Sequence, residues 1–135
     1  MHITYKGDYA LKTMLYLADM YDKKVMSIQE LAKKGDMPIK FLEQVLQLLK
    51  RGGFVVSKRG TKGGYYLARA PEKITLGELI RFIDGPIEPI ACVGSRAYAG
   101  CADVNVCVLR KVMIRVKDAV SDIVDNVTLK ELMIK

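Results

Sequence analysis

The stretch Ser27–Leu67, SIQELAKKGDMPIKFLEQVLQLLKRGGFVVSKRGTKGGYYL, decides the fold. It opens on Ser27-Ile28-Gln29-Glu30, a Ser-x-x-Glu capping box, in which the two side chains satisfy backbone N–H groups that a helix start leaves unpaired. The short helix begun there ends at Gly35. Pro38 suits the first turn of a second helix, which places Phe41, Leu42, Val45, Leu46, Leu48 and Leu49 on its apolar side and runs to about Arg51, where Gly52-Gly53 stops it. Two helices joined by a tight turn near Gly35-Asp36 form a helix-turn-helix. The period then changes. Phe54-Val55-Val56-Ser57-Lys58 and Tyr65-Tyr66-Leu67-Ala68 are short and β-prone, and Arg59-Gly60-Thr61-Lys62-Gly63-Gly64 between them reads as a cationic hairpin tip. A hairpin beside a helix-turn-helix is a wing.

Upstream, Gly7 to Tyr21 sets Ala10, Leu11, Met14, Leu15, Leu17 and Ala18 on one broad apolar helix face. Downstream, Thr75-Leu76-Gly77-Glu78 is a second capping box, opening a helix to about Asp84 that Gly85-Pro86 ends. An irregular loop follows. From about Val104 the pattern is helical again: Leu109, Val112, Met113, Val116, Val120, Ile123, Val124 and Val127 recur at three- and four-residue steps, close to the coiled-coil repeat. Asn126 ends that helix, and Thr128-Leu129-Lys130-Glu131 caps a last short one. The expected fold is mainly α with a small β-hairpin wing: a winged helix-turn-helix plus a long dimerisation helix. The DNA-binding part spans 1–84, with its wing at 54–68 and the following helix at 75–84. A cysteine loop fills 85–107, and the dimerisation helix with its short C-terminal neighbour fills 108–135. Leu109, Val112, Met113, Val116, Val120, Ile123 and Val124 would form the seam of a homodimer.

At 135 residues the chain fits one compact domain. Half its residues are apolar, which excludes a disordered tail. No apolar run reaches the ~18 residues that span a bilayer. Lys6, Asp8, Lys12, Asp19 and Asp22 interrupt the N-terminal stretch, unlike a secretory signal, so a cytoplasmic protein without membrane attachment is expected. The net charge of +7 is concentrated: from Lys33 to Lys73 there are ten basic and three acidic residues, while the remainder is balanced. Such a field suits a polyanion, here double-stranded DNA. On the second helix of the motif, Lys40, Glu43, Gln44, Gln47 and Lys50 lie between the apolar positions and carry the groups that read base edges and phosphates. The amides around Ser27 would hold a phosphate. At the wing, Lys58, Arg59, Thr61 and Lys62 are placed to enter a neighbouring minor groove. Neither Gly-x-x-x-x-Gly-Lys-Ser/Thr nor Gly-x-Gly-x-x-Gly occurs, and no catalytic His/Ser pair is present, so an enzyme is not expected.

Cys92, Cys101 and Cys107 are spaced by eight and then five residues in a loop that also holds the small residues Gly94, Ala97, Ala99, Gly100 and Ala102. An odd count in a cytosolic chain argues against a disulfide framework. Three thiolates suit a soft metal, either zinc or an iron–sulfur cluster, and small neighbours let the backbone fold closely around one. Both centres want a fourth ligand, and the only histidine is His2. The bland alternative is three buried, inert thiols. An electron carrier built on the same cysteines is a further alternative, though a carrier has no use for the basic field.

The runs Gly63-Gly64-Tyr65-Tyr66-Leu67-Ala68-Arg69-Ala70-Pro71, Ile74-Thr75-Leu76-Gly77-Glu78-Leu79-Ile80-Arg81 and Ile83-Asp84-Gly85-Pro86 resemble the IscR/NsrR-type family of bacterial winged-helix regulators across nearly the whole chain. The resemblance implies a dimeric transcriptional regulator, expected to be a repressor. Its operator affinity would be set by an iron–sulfur cluster on Cys92, Cys101 and Cys107, sensing nitric oxide, redox state or iron–sulfur supply. A 4Fe-4S cluster is expected in preference to 2Fe-2S. Some nitric-oxide-sensing members take a fourth ligand from an aspartate early in the partner's first helix, and Asp8 stands at the matching place. Two features depart from the family pattern. Val108-Leu109-Arg110-Lys111 follows Cys107 without the histidine of the IscR branch, and the first Cys–Cys gap is long. Some relatives hold no cluster and respond to a metabolite or a protein partner, and a zinc-stabilised regulator is a related alternative.

Overall fold

The computed structural model describes residues 2–94 and 100–133. Helix α1 (Tyr5–Asp19) leads into α2 (Ile28–Gly35) and α3 (Ile39–Arg51), followed by the hairpin β1 (Val55–Lys58) and β2 (Gly64–Leu67). A 3-10 turn at Pro71–Lys73 precedes α4 (Leu76–Asp84), and another at Ala91–Val93 lies in the loop before α5 (Val108–Asp125) and α6 (Leu129–Leu132). The fold is the expected one, mainly helical with a two-stranded antiparallel wing.

Side-chain caps define the helix starts. Ser27 Oγ accepts from Glu30 N–H at 3.1 Å while Glu30 accepts in return from Ser27 N–H, completing the capping box. Thr75 and Thr128 cap α4 and α6 with their hydroxyls, which accept from the Glu78 and Glu131 N–H groups. Thr4, a cap the sequence reading missed, accepts from Gly7 N–H and starts α1 two residues earlier than expected. The helix also ends early, at Asp19 with Met20 as C-cap, and the chain turns over 20–23 with Asp22 at φ 60°. Helix α5 begins at Val108 rather than near Val104. Residues 102–106 form turns, with Val106 N–H donating to the Asp103 carbonyl, so the two valines there extend the apolar pattern without extending the helix.

Helix α1 runs through the centre. Its Ala10, Met14 and Leu17 pack with Leu31 of α2, Leu42 and Leu46 of α3, Leu67 of β2 and Leu79 of α4. Burying side chains of this size stabilises by roughly 1.5–3 kcal/mol each. In the wing, Val55 faces Leu67 and Ser57 faces Tyr65. A single bridge from Met26 to Tyr65 adds the α1–α2 connection to the sheet edge. Gly64 is required there, because a Cβ would strike the Met26 carbonyl.

The C-terminal segment returns to this body. Leu76 N–H donates to the Val127 carbonyl, Leu129 N–H to the Ile74 carbonyl, and Leu129 is fully buried. The sequence groups α6 with the long helix, but the structure also makes it part of the winged-helix core. A second small core joins Ile80, Ile87 and Val124, with Leu76 and Val120 against them. Beside it, the Arg81 guanidinium pairs with both carboxylate oxygens of Asp125, locking α4 to the end of α5.

Candidate functional site

Helix α3 is two-faced. Leu42, Val45, Leu46 and Leu49 are buried, whereas Lys40, Glu43, Gln44, Gln47 and Lys50 are all exposed. Positions 40, 43, 44 and 47 follow the i, i+3, i+4, i+7 spacing of one helix face. Among the described residues, none of these five side chains has an ion-pair or hydrogen-bond partner. The wing presents Lys58, Arg59, Thr61 and Lys62, also exposed. Its tip turns at Gly60, whose φ of 114° favours glycine, and Gly63 N–H donates back to the Gly60 carbonyl at 3.0 Å.

Not all of the local charge is free. Arg69 pairs with Glu78 at 2.8 Å and lies over the Phe54 ring at 5.3 Å, so it fastens β2 to α4. Lys34 sits 5.4 Å from the Tyr16 ring centre. The Ser27 hydroxyl and N–H and the Glu30 N–H are all engaged in the capping box, leaving the Ile28 and Gln29 amides as the groups this helix start offers a phosphate. Lys24 donates to Glu30 at 2.7 Å, and this bond, with that from Ser27 N–H, holds the Glu30 carboxyl below the usual carboxylate range. Lys23 and Lys24 line a cleft of about 530 Å³ with Ser57, Lys58 and Tyr66. The Lys23-Lys24 pair falls just outside the basic window, so only its place before the β-prone Val25-Met26 could have signalled it.

The three cysteines come together at one place. Cys92, Cys101 and Cys107 line a single cavity of about 170 Å³ with Ile90, Val104, Leu109 and Arg110. Cys92 sits in the 3-10 turn and Cys107 is the N-cap residue of α5. All three are free thiols, Cys101 exposed and the others half-buried. Soft donors sharing a mostly apolar pocket fit a metal–sulfur group in donor type and in place. They are not drawn into a finished ligand set, since among the described residues no three His, Cys, Asp or Glu side chains are grouped to hold a metal ion. Of the small loop residues, Ala97 and Ala99 lie outside the described residues. Asp8 is elsewhere in the chain, paired with Lys12 at 2.9 Å and lining a cleft with His2, Thr4 and Tyr5. The hydrogen bond that Lys12 donates to that carboxylate raises the Lys12 pKa.

The stripe along α5 divides in two. Val124 is only 7% exposed and packs on Ile80 and Ile87 within its own chain, with Val120 beside it. Val124 wholly, and Val120 in part, are thus taken up by the chain's own core. Leu109 (55% exposed), Val112, Val116 and Ile123 (64%) stand in solvent, and Met113 is half-buried. No helix among the described residues is long and apolar enough to cross a membrane.

A helix-turn-helix, a wing and an unpaired polar face on the second helix define a winged-helix regulator of the DNA-binding class. The chain belongs to the Rrf2 family, described as iron-dependent transcriptional regulators, whose profile matches residues 3–135. It is 39% identical to the rrf2-like HTH-type transcriptional regulator of Rhodobacter capsulatus, over 97% of this chain and 91% of that protein. Among solved structures it resembles CymR, the global cysteine regulator of B. subtilis, with a TM-score of 0.83 and 32% identity over 98% and 95% of the two chains. It also resembles IscR of T. potens, with a TM-score of 0.77 and 28% identity over 98% and 85%. The chain is therefore an Rrf2-family helix-turn-helix transcriptional regulator.

Proposed function

We propose that this regulator is a homodimer that represses transcription by binding a pseudo-palindromic operator, with an iron–sulfur cluster at Cys92, Cys101 and Cys107 setting its affinity. The observation that carries the DNA half is the exposed row of Lys40, Glu43, Gln44, Gln47 and Lys50 beside an exposed cationic wing. Glutamine pairs with adenine, glutamate accepts from cytosine, and lysine reaches guanine or phosphate. The remaining apolar row of Leu109, Val112, Val116 and Ile123 supports a self-complementary α5–α5 seam, since a coiled-coil spacing left in water asks for a second copy. The shared thiol cavity supports the cluster half. When bound, the cluster supplies a redox- and nitric-oxide-sensitive centre. Asp8 of a second copy would be the fourth ligand and would give up its ion pair with Lys12 to do so. The geometry of the two reading heads would follow the state of the cavity, because Cys107 is the N-cap residue of the seam helix.

The test is fluorescence anisotropy on a promoter duplex, with the protein purified and loaded without oxygen. Tight binding with a steep salt dependence, changed by nitric oxide, is expected; absence of binding at low ionic strength overturns the DNA half. A second reading is a cluster-free regulator controlled by a metabolite or protein partner. It is favoured by the open placement of the thiols and by the likeness to a cysteine regulator. Under it, replacing all three cysteines by serine leaves regulation intact.

A further inference from the structure

Arg110 stands one helical turn beyond Cys107, so the two side chains share a face of α5. It is half-buried, lines the three-thiol cavity, and donates from Nε to the Cys92 carbonyl at 3.1 Å. No carboxylate pairs with it among the described residues. Its bond to Cys92 is the one side-chain hydrogen bond between the cysteine segment and α5 among those residues. A half-buried cation without a carboxylate, placed beside sulfur and apolar side chains, would be stabilised by negative charge nearby. The planar guanidinium can give Nε–H to the carbonyl and still direct its terminal nitrogens elsewhere, which a lysine ammonium cannot do with the same geometry.

We propose that Arg110 is a positioning residue of the thiol pocket. Its charge offsets that of the thiolates and of the anionic metal–sulfur group they hold, and its bond to Cys92 carries a change in the pocket into the first turn of α5. The proposal rests on reading the cysteines as cluster ligands. The run Val108-Leu109-Arg110-Lys111 after Cys107 contains this cation and no histidine, so the fourth ligand must come from elsewhere while Arg110 tunes the site.

The full-length wild type, Arg110→Lys and Arg110→Gln would be loaded anaerobically with ferrous iron and sulfide, with circular dichroism confirming the fold. Three quantities are read: the visible absorbance, the midpoint potential, and the ratio of operator affinities between loaded and cluster-free protein. Removing a cation disfavours the more negative, reduced form, so Arg110→Gln should lower the midpoint potential. The affinity ratio, about 5–150-fold for a typical allosteric coupling, should fall towards one in Arg110→Gln. Arg110→Lys should restore the potential but only part of the ratio, because it keeps the charge without the fork. Cluster uptake lost in Arg110→Gln and kept in Arg110→Lys would equally support the charge role. Potential and ratio unchanged in both variants overturn the proposal while leaving the cluster in place. A wild type that takes up no cluster overturns the reading of the cysteines and this proposal with it.

Discussion

Gln44 and Gln47 are exposed on α3 without partners among the described residues, while Leu46 between them is fully buried. Replacing either glutamine by alanine should cost about 1–3 kcal/mol of discrimination against the wrong base and leave binding to unrelated DNA nearly unchanged. Competition assays with point-mutated operators would show this. Arg59→Ala or Lys62→Ala should instead weaken binding to all duplexes and reduce the slope of log affinity against log salt by roughly 0.9 per lost phosphate contact. A salt titration separates the two effects. The Arg81–Asp125 pair makes a different prediction. The Arg81 hydrogen bonds hold the Asp125 carboxyl below its ordinary range, so the stabilisation is present above the unfolded pKa and is lost as pH falls through the folded one. Asp125→Asn should therefore be less stable than the native chain at neutral pH, by about 0.2–1 kcal/mol for so exposed a pair. Denaturant unfolding should show that gap closing below about pH 4.

At the scale of elements, the capping boxes were the clearest signals in the sequence, because a cap is a local bond between residues three apart. Ser27-x-x-Glu30, Thr75-x-x-Glu78 and Thr128-x-x-Glu131 all start helices in the structure. The wing and its basic tip were equally legible from the change of period at Phe54. What the sequence hid was tertiary. Periodicity marks Val124 and Ile123 alike as apolar, but only packing against Ile80 and Ile87 assigns Val124 to the chain's own core. The Met26–Tyr65 bridge, the tie from Arg69 to Glu78 and the place of Arg110 on the thiol cavity likewise join residues far apart or across a loop. At this scale Val112→Asp and Val116→Asp, on the exposed half of α5, should leave the fold intact and shift the protein to monomer by light scattering. Val124→Asp should instead lower the melting temperature, since it buries a charge.

For the molecule as a whole, the parts lie in the order a regulator needs: a reading head, a thiol cavity directly after it, and a helix that begins on the cavity and presents an apolar row outward. The cavity meets α5 at its N-cap, Cys107, and in its first turn at Leu109 and Arg110, and α5 is anchored to α4 through Arg81–Asp125 and the Ile80–Val124 contact. Under the proposed cluster control, that anchoring would let a shift of the long helix carry the reading head with it, and a few kcal/mol of differential stability between two geometries would suffice to alter binding. The most direct measurement is operator affinity under strict anoxia for the iron- and sulfide-loaded native protein and for the Cys92, Cys101 and Cys107 triple serine variant on the same duplex. Cluster control predicts clearly different affinities, with nitric oxide moving the native protein towards the variant. Equal affinities, unmoved by nitric oxide, would contradict it.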